Sequence, residues 1–409
     1  MRKKPISKQS IVLLAAILFL GCTKISNPET ENTLASETLS IINQTFEDDG
    51  TEDQGDMLGY DVDLDKTYSI VGSPGYDDLL LTDRGCAYIY SRPGAGSVWS
   101  EKTMIKNANA KPLDNFGHHV AISDNYAVAA TNDSIYFFKR IFGDFWVQQN
   151  AFVPNNLPAE GLSVSSIDIY GDNLIVGHGS RRVNGNNDVG AVYFFKRINN
   201  NWVHQNTFFS PNNQRGDRFG SAVSIHGNYA VVGSRGHIQY STHGGKAYVF
   251  MQFLGNWTQQ ATITAADIQI NDNYGCAVAI RGEYAVIGAS QESSAGQRKG
   301  GAYIFKRNGS TWTQQVKLQS SDGLVNGMFG KAVAINNNYA LIGGGGEDHT
   351  NRGSIYTFNR SGTSWNFLRE DNNPLADRLY FGSKLGMDSL QHYIVGGSHK
   401  GAISFGTHY

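Results

Sequence analysis

The chain has 409 residues, of which only 17% are charged, with a formal net charge of −2. A balance so close to neutral excludes a basic nucleic-acid-binding surface, while 47 Gly, 20 Tyr and 21 Phe beside 9 Pro suit a turn-rich all-β protein. This length would ordinarily mean two or three domains, an expectation that fails for a chain built of repeats.

The first element is a targeting segment, residues 1–21. Arg2, Lys3, Lys4 and Lys8 form a basic start, and Ile11 to Leu20 is an apolar stretch too short to span a bilayer. Gly21-Cys22 follows at once. A small residue before a cysteine at this place resembles the lipobox of bacterial lipoproteins, with Phe19 standing where Leu is commoner. That resemblance implies that the Cys22 thiol receives a diacylglycerol and that the new N-terminus is acylated, and two or more acyl chains anchor stably. The other reading of the same residues is an ordinary signal peptide with a chance cysteine. Residues 22–36 are polar and without apolar period, as a flexible tether would be. The expected location is the bacterial cell envelope outside the cytoplasm, on the outer membrane, with lipid as the only membrane contact.

Residues 37–409 are self-similar. In chain order the copies are LGYDVDLDKTYSIVG (58–72), FGHHVAISDNYAVAA (116–130), SVSSIDIYGDNLIVG (163–177), FGSAVSIHGNYAVVG (219–233), YGCAVAIRGEYAVIG (274–288), FGKAVAINNNYALIG (329–343) and FGSKLGMDSLQHYIVG (381–396). Each predicts an alternating strand, a tight turn and a second apolar strand. Turns such as Gly227-Asn228 and Gly282-Glu283 suit two-residue hairpins. A third strand follows each copy, from GCAYIY (85–90) to GAISF (401–405), and a fourth begins at Trp99, Trp146, Trp202, Trp257, Trp312 and Trp365, all the tryptophans of the chain. Four short antiparallel strands per repeat are the signature of a propeller blade. Seven first strands but six tryptophan strands leave the last blade one strand short, and LSIINQTF (39–46), which resembles VHQNTFF (203–209), is expected to complete it. The predicted fold is an all-β, seven-bladed propeller of four-stranded antiparallel blades, closed by its N-terminal strand. Its core should lie between blades, with large Val223 and Ile225 on one strand face and small Ala222 and Ser224 on the other.

The Phe-Gly start, the apolar strand ending in Gly and the Gly-Ala-x-Tyr-x-Phe-like third strand resemble FG-GAP repeats, which form the propeller of integrin α chains and of many bacterial surface proteins. The resemblance covers about residues 37–409 and is strongest in repeats four to six. It implies a binding or adhesion module. Integrin-type repeats often carry a calcium loop between strands one and two; tight turns stand there in this chain, so no calcium site is transferred, and no cofactor or metal is expected.

Several residues invite a functional reading. Asp61, Asp63 and Asp65 spell DVDLD, but Lys66 and Gly72 stand where an EF-hand loop needs Gly and Glu. Positions equivalent to Ala222 and Ser224 are small in repeats four to six, whereas the other repeats hold Asp61, Asp63, His119, Asp168 and Lys384. These belong to adjacent blades of a closed ring, so a polar arc faces the axis. It is either a ligand site or a set of compensating ion pairs with channel waters. His118 and His119 should point to opposite faces, which argues against zinc. Cys86 and Cys276, at different places in different repeats, read as buried thiols rather than a disulfide. The loops between strands two and three (73–84, 178–189, 234–244 and 289–299) vary most and bring Arg181, Arg235 and Tyr240 to one rim. Leu79-Leu80-Leu81 is either a partner contact or a loop folded onto its blade. The function expected is a non-enzymatic binding module for a protein or glycan partner on this long-loop face, with no nucleic acid. The alternative is a propeller enzyme acting on polysaccharide, for which Asp61, Asp63 and Asp168 are the central carboxylates.

Overall fold

The computed structural model describes residues 40–47, 55–77, 82–94, 97–149, 162–236, 243–294, 297–323, 325–345, 353–374, 380–390, 392–397 and 402–408. Cys22, the leader and tether, Leu79 to Leu81 and Tyr240 lie outside them. Among the described residues the regular structure is all strand, arranged as seven four-stranded antiparallel sheets and one short two-stranded ribbon, Ser293–Ser294 with Gln297–Arg298. The innermost strands are Val62–Asp65, His119–Ser123, Ser166–Tyr170, Phe219–His226, Tyr274–Arg281, Ala332–Ile335 and Lys384–Met387. They define blades one to seven, and in blades one to six the chain runs outward through three further strands of the same sheet. The last blade takes its outer strand from the N-terminus: Ser40–Glu47 pairs antiparallel with Ala402–His408, from Ser40 opposite His408 to Glu47 opposite Ala402. Closure of the ring therefore follows the sequence expectation.

Alternation explains the inner strands. Val223 and Ile225 are buried while Ala222 and Ser224 are half-buried, so one face packs on a neighbouring blade and the other looks toward the axis. The hairpin turns after these strands carry positive φ at their first residue, Gly227 at 61° and Gly282 at 59°, the backbone that glycine adopts without Cβ strain. Apolar clusters sit between blades. One joins Val128 and Phe137 of blade two to Ile167 and Trp202 of blade three, and another joins Ile394 and Phe405 of blade seven to Val71 and Trp99 of blade one. The tryptophans belong to these junctions. Trp202 stacks on Phe137 at 5.0 Å, Trp257 on Phe194 at 4.5 Å and Trp99 on Phe405 at 4.6 Å, each against the preceding blade.

The two glycines of the repeat also meet between blades. A Cβ on Gly233, at the end of the second strand of blade four, would lie 2.1 Å from the carbonyl oxygen of Gly275, the glycine that opens blade five. Gly288 and Gly330 repeat this approach at 2.0 Å. Blade three lacks the Phe-Gly start and has Val164 there, and the facing position of blade two is Ala130 rather than Gly. The two departures lie at one junction, so the glycines are lost together.

Candidate functional site

The inner strands enclose an axial channel of about 600 Å³ lined by Asp61, Asp63, His119, Asp168 and Lys384. The polar arc read from the sequence is thus gathered in one place. Ala222, Ala277, Ala279, Ala332 and Ala334 line the opposite wall. Two further cations, Arg281 and Lys331, face the same space. Comparing only two positions per strand missed them, because Lys331 stands just before its inner strand and Arg281 at the end of its own; extending the comparison by one residue before and two after exposes both.

What the carboxylates do is specific. An inner strand has no hydrogen-bonded neighbour toward the axis, and its free N–H groups need acceptors. Asp61 accepts from the Val120 N–H at 3.1 Å, and Asp63 from the Ile122 N–H at 2.7 Å. Asp65 accepts from the Asp124 N–H at 2.6 Å. In blade three Asp168 accepts from the Ile225 N–H at 2.7 Å. Ser224 and His226 do the same for Ile280 and Gly282 at 3.3 and 3.2 Å. Side chains of one blade therefore cap the edge of the next.

The charges divide into two groups. Asp61 lies 3.2 Å from the Lys384 ammonium and 3.5 Å from the His119 ring. Burial pushes its carboxyl up, but Lys384, His119 and the Val120 N–H together hold it well below the usual carboxylate range. Asp63 has no such cation beside it. Burial and then the charge of Asp168 drive its carboxyl well above that range, against the Ile122 and Leu64 N–H bonds. Asp168 is pushed up to about 6 by burial, although the Ile225 and Ile169 N–H groups oppose it. Each of the two accepts a backbone N–H on both oxygens, Asp63 from Leu64 and Ile122, Asp168 from Ile169 and Ile225.

The two faces differ. Loops after the second strands share one face with the connections between blades. There Arg218 lies near Arg235, which with burial lowers the Arg218 pKa while Asp188 raises it. Arg181 anchors the neighbouring loop, its carbonyl accepting from Val189 and Gly190 at 3.0 Å each. Arg181 and Arg235 are half-buried. The opposite face, built of tight hairpin turns, holds a hollow of about 520 Å³ among Lys66, Tyr68, Tyr126, Arg140 and Arg197. Its walls are inter-blade clasps, with the Arg140 guanidinium 4.4 Å over Tyr68 and that of Arg197 3.8 Å over Tyr126. The repeat places a Tyr and an Arg at this position in successive blades, as Arg307 over Tyr229 and Arg360 over Tyr284 also show.

The strand in blade two begins at His119, so alternation does not govern His118. The two rings touch at 4.7 Å, and His118 packs on Tyr60 at 4.5 Å. No group of three metal-ligating side chains occurs among the described residues. Cys86 and Cys276 are free thiols; Cys86 is buried as expected, whereas Cys276 is half-buried because its position faces the channel.

The FG-GAP repeat matches residues 202–250, 257–305 and 312–358. Each matched segment starts at a tryptophan strand and ends in the third strand of the following blade. The sequence repeat is therefore one strand out of phase with the blade, and Ser40–Glu47 stands before blade one as the tryptophan strands stand before theirs. The chain is similar in structure to a candidate 6-phosphogluconolactonase from Bacteroides fragilis, at 13% identity and a TM-score of 0.51 over 77% of this chain and 84% of that one. A candidate 6-phosphogluconolactonase from Bacteroides uniformis gives 11% identity and a TM-score of 0.48, over 85% and 88%. At such identity the likeness is one of fold. No curated protein matches the sequence.

Proposed function

We propose that this propeller is a lipid-anchored binding module of the bacterial cell envelope, taking a protein or glycan partner on its long-loop face. The observation that carries this reading is the commitment of the channel carboxylates. Asp61 is paired with Lys384 and lies against the His119 ring, and Asp63 and Asp168 cap strand edges on both oxygens. Such groups hold blades together, and recognition falls to the loops that repeat geometry leaves free. The paired Arg218 and Arg235 favour an anionic partner there. Shortening 178–189 and 234–244 to Gly-Ser should abolish capture of a partner found by pull-down, with the melting temperature nearly unchanged. Binding that survives this but fails after changes at Asn228 and Glu283 would move the site to the hairpin face.

A second reading rests on Asp63 and Asp168, whose raised carboxyls are neighbours in a channel. A carbohydrate-active enzyme needs such a pair, one protonated and one not. Asp168→Asn would abolish turnover of a polysaccharide under that reading and would leave glycan binding intact under the first.

A further inference from the structure

The hairpins between third and fourth strands are built alike but tipped differently. In blades five and six the tips are polar, Gly309-Ser310 and Gly362-Thr363. In blade two the tip carries Phe142 and Phe145, 71% and 54% exposed and stacked on each other at 5.4 Å. In blade four it carries Phe253 and Leu254, 65% and 85% exposed. Ile141 and, in blade three, Ile198 extend this apolar surface. Single exposed apolar residues also occur on the long-loop face, at Leu113, Ile270 and Val325, but each stands in a different junction. Adjacent large apolar side chains at protruding tips mark a surface that meets something apolar.

The chain itself indicates what that is. Ser40 pairs with His408 at the end of the third strand of blade seven, so the closing strand starts on the hairpin face. Cys22 is eighteen residues earlier, a reach of at most about 60 Å for an extended chain. The tether thus enters the propeller on the face that bears the apolar tips. Blades seven, two and four are spaced two, two and three steps round the ring, close to an even tripod. We infer that the hairpin face lies flat on the bilayer, with the tips of blades two and four inserted at the lipid interface and the acyl chains of Cys22 serving the blade-seven side. This rests on the lipid anchor proposed above. The long loops then face away from the membrane, toward partners. Charges on the hairpin face have both signs, with Lys66, Arg140 and Arg197 beside Asp65, Asp124 and Asp172, so the contact is apolar and needs no anionic lipid.

The test uses the full chain, processed in the cell, purified in detergent and reconstituted into neutral phosphatidylcholine vesicles with brominated acyl chains. The native tryptophans are buried, so an added exposed one reports its own surroundings. Phe142→Trp and Phe253→Trp should be quenched several-fold more than Lys111→Trp on the long-loop face, and high salt should not alter this. Equal quenching at all three positions, or none at any, would overturn the proposal. So would protection of the two tips by pairing of two copies, visible as a dimer in detergent with unquenched tips in vesicles. Fatty-acid incorporation at Cys22, lost in Cys22→Ser, reads the anchor separately. A chain that is never acylated but is quenched at both tips would sink the anchor and keep the face.

Discussion

Gln44 and Trp99 hold each other by two hydrogen bonds. The Gln44 Nε2 donates to the Trp99 carbonyl at 2.7 Å, and its Oε1 accepts from the Trp99 N–H at 2.9 Å. Gln44 lies in the strand that closes blade seven, and Trp99 directly precedes the outer strand of blade one. Asn206 and Trp257 make a similar contact between blades three and four, at 3.3 Å. The seam of the ring is therefore built as an ordinary junction, only from the two ends of the chain.

Removal of residues 37–47 should consequently open the ring. It would strip the partner from Ala402–His408 and uncover Phe405, which packs edge-on against Phe46 at 5.9 Å. A large fall in melting temperature with aggregation is expected, because an unpaired edge templates association. Gln44→Leu is the milder version and should cost about 1–3 kcal/mol, since it leaves backbone groups of Trp99 without partners. Thermal melts of both proteins check this, and a truncated chain that melts like the parent would mean that the seam contributes nothing.

Gly233→Ala should be among the most damaging single-methyl changes in the chain. The added Cβ would sit 2.1 Å from the Gly275 carbonyl oxygen, which is backbone and moves only if two blades part. The cost should reach about 3 kcal/mol, the upper end for overpacking. Ala130→Gly at the equivalent place in blade two should cost no more than about 1 kcal/mol, because no Phe-Gly start opposes it. Denaturant titration of the two variants separates these outcomes; similar costs would refute the paired-glycine account.

The ring, its blade number and its closing strand could be read from the sequence because repetition multiplies a weak local signal. One alternating segment ending in Gly says little, but seven at nearly constant spacing with tryptophans in phase leave few arrangements. The arc of Asp61, Asp63, His119, Asp168 and Lys384 was legible for the same reason, since equivalent positions of a ring share one axis. The task of these residues was not. Capping by Asp63 of the Ile122 N–H at 2.7 Å depends on the offset between neighbouring blades, which no single strand encodes. The hollow beside Arg140 and Arg197 escaped too, because it arises from how side chains of separate repeats stack across a junction.

Lys384→Met should destabilise the protein at neutral pH and much less in acid. The folded state holds Asp61 below its ordinary pKa, with Lys384 the leading favourable cause. A depressed carboxyl contributes stability that is present above the unfolded pKa of about 3.9 and is lost as pH falls through the folded value. Without the ammonium, burial dominates and that contribution shrinks. The gap between parent and variant melting temperatures should therefore be wide at pH 7 and narrow below about pH 4. A gap independent of pH would show that Lys384 acts only by packing.

Asp168→Asn should have the opposite pH signature. The Asp168 carboxyl is raised to about 6 in the fold, and that of Asp63 beside it is raised as well. A raised group contributes stability that is full below the unfolded pKa of about 3.9 and is lost as pH climbs through the folded value. The parent should thus weaken between about pH 4 and about pH 6 as the buried Asp168 carboxyl acquires charge and repels Asp63. Asparagine never ionises, so the variant escapes this repulsion and frees Asp63 from it. It also loses one acceptor, leaving either the Ile169 or the Ile225 N–H unpaired at a cost of about 1–3 kcal/mol. That cost does not depend on pH, whereas the relieved repulsion does. The parent should melt well above the variant at pH 5, and the difference should narrow or reverse by pH 8. A constant difference across this range would mean that Asp168 ionises in the folded protein as freely as in the unfolded chain, and that the two channel carboxylates do not sense each other.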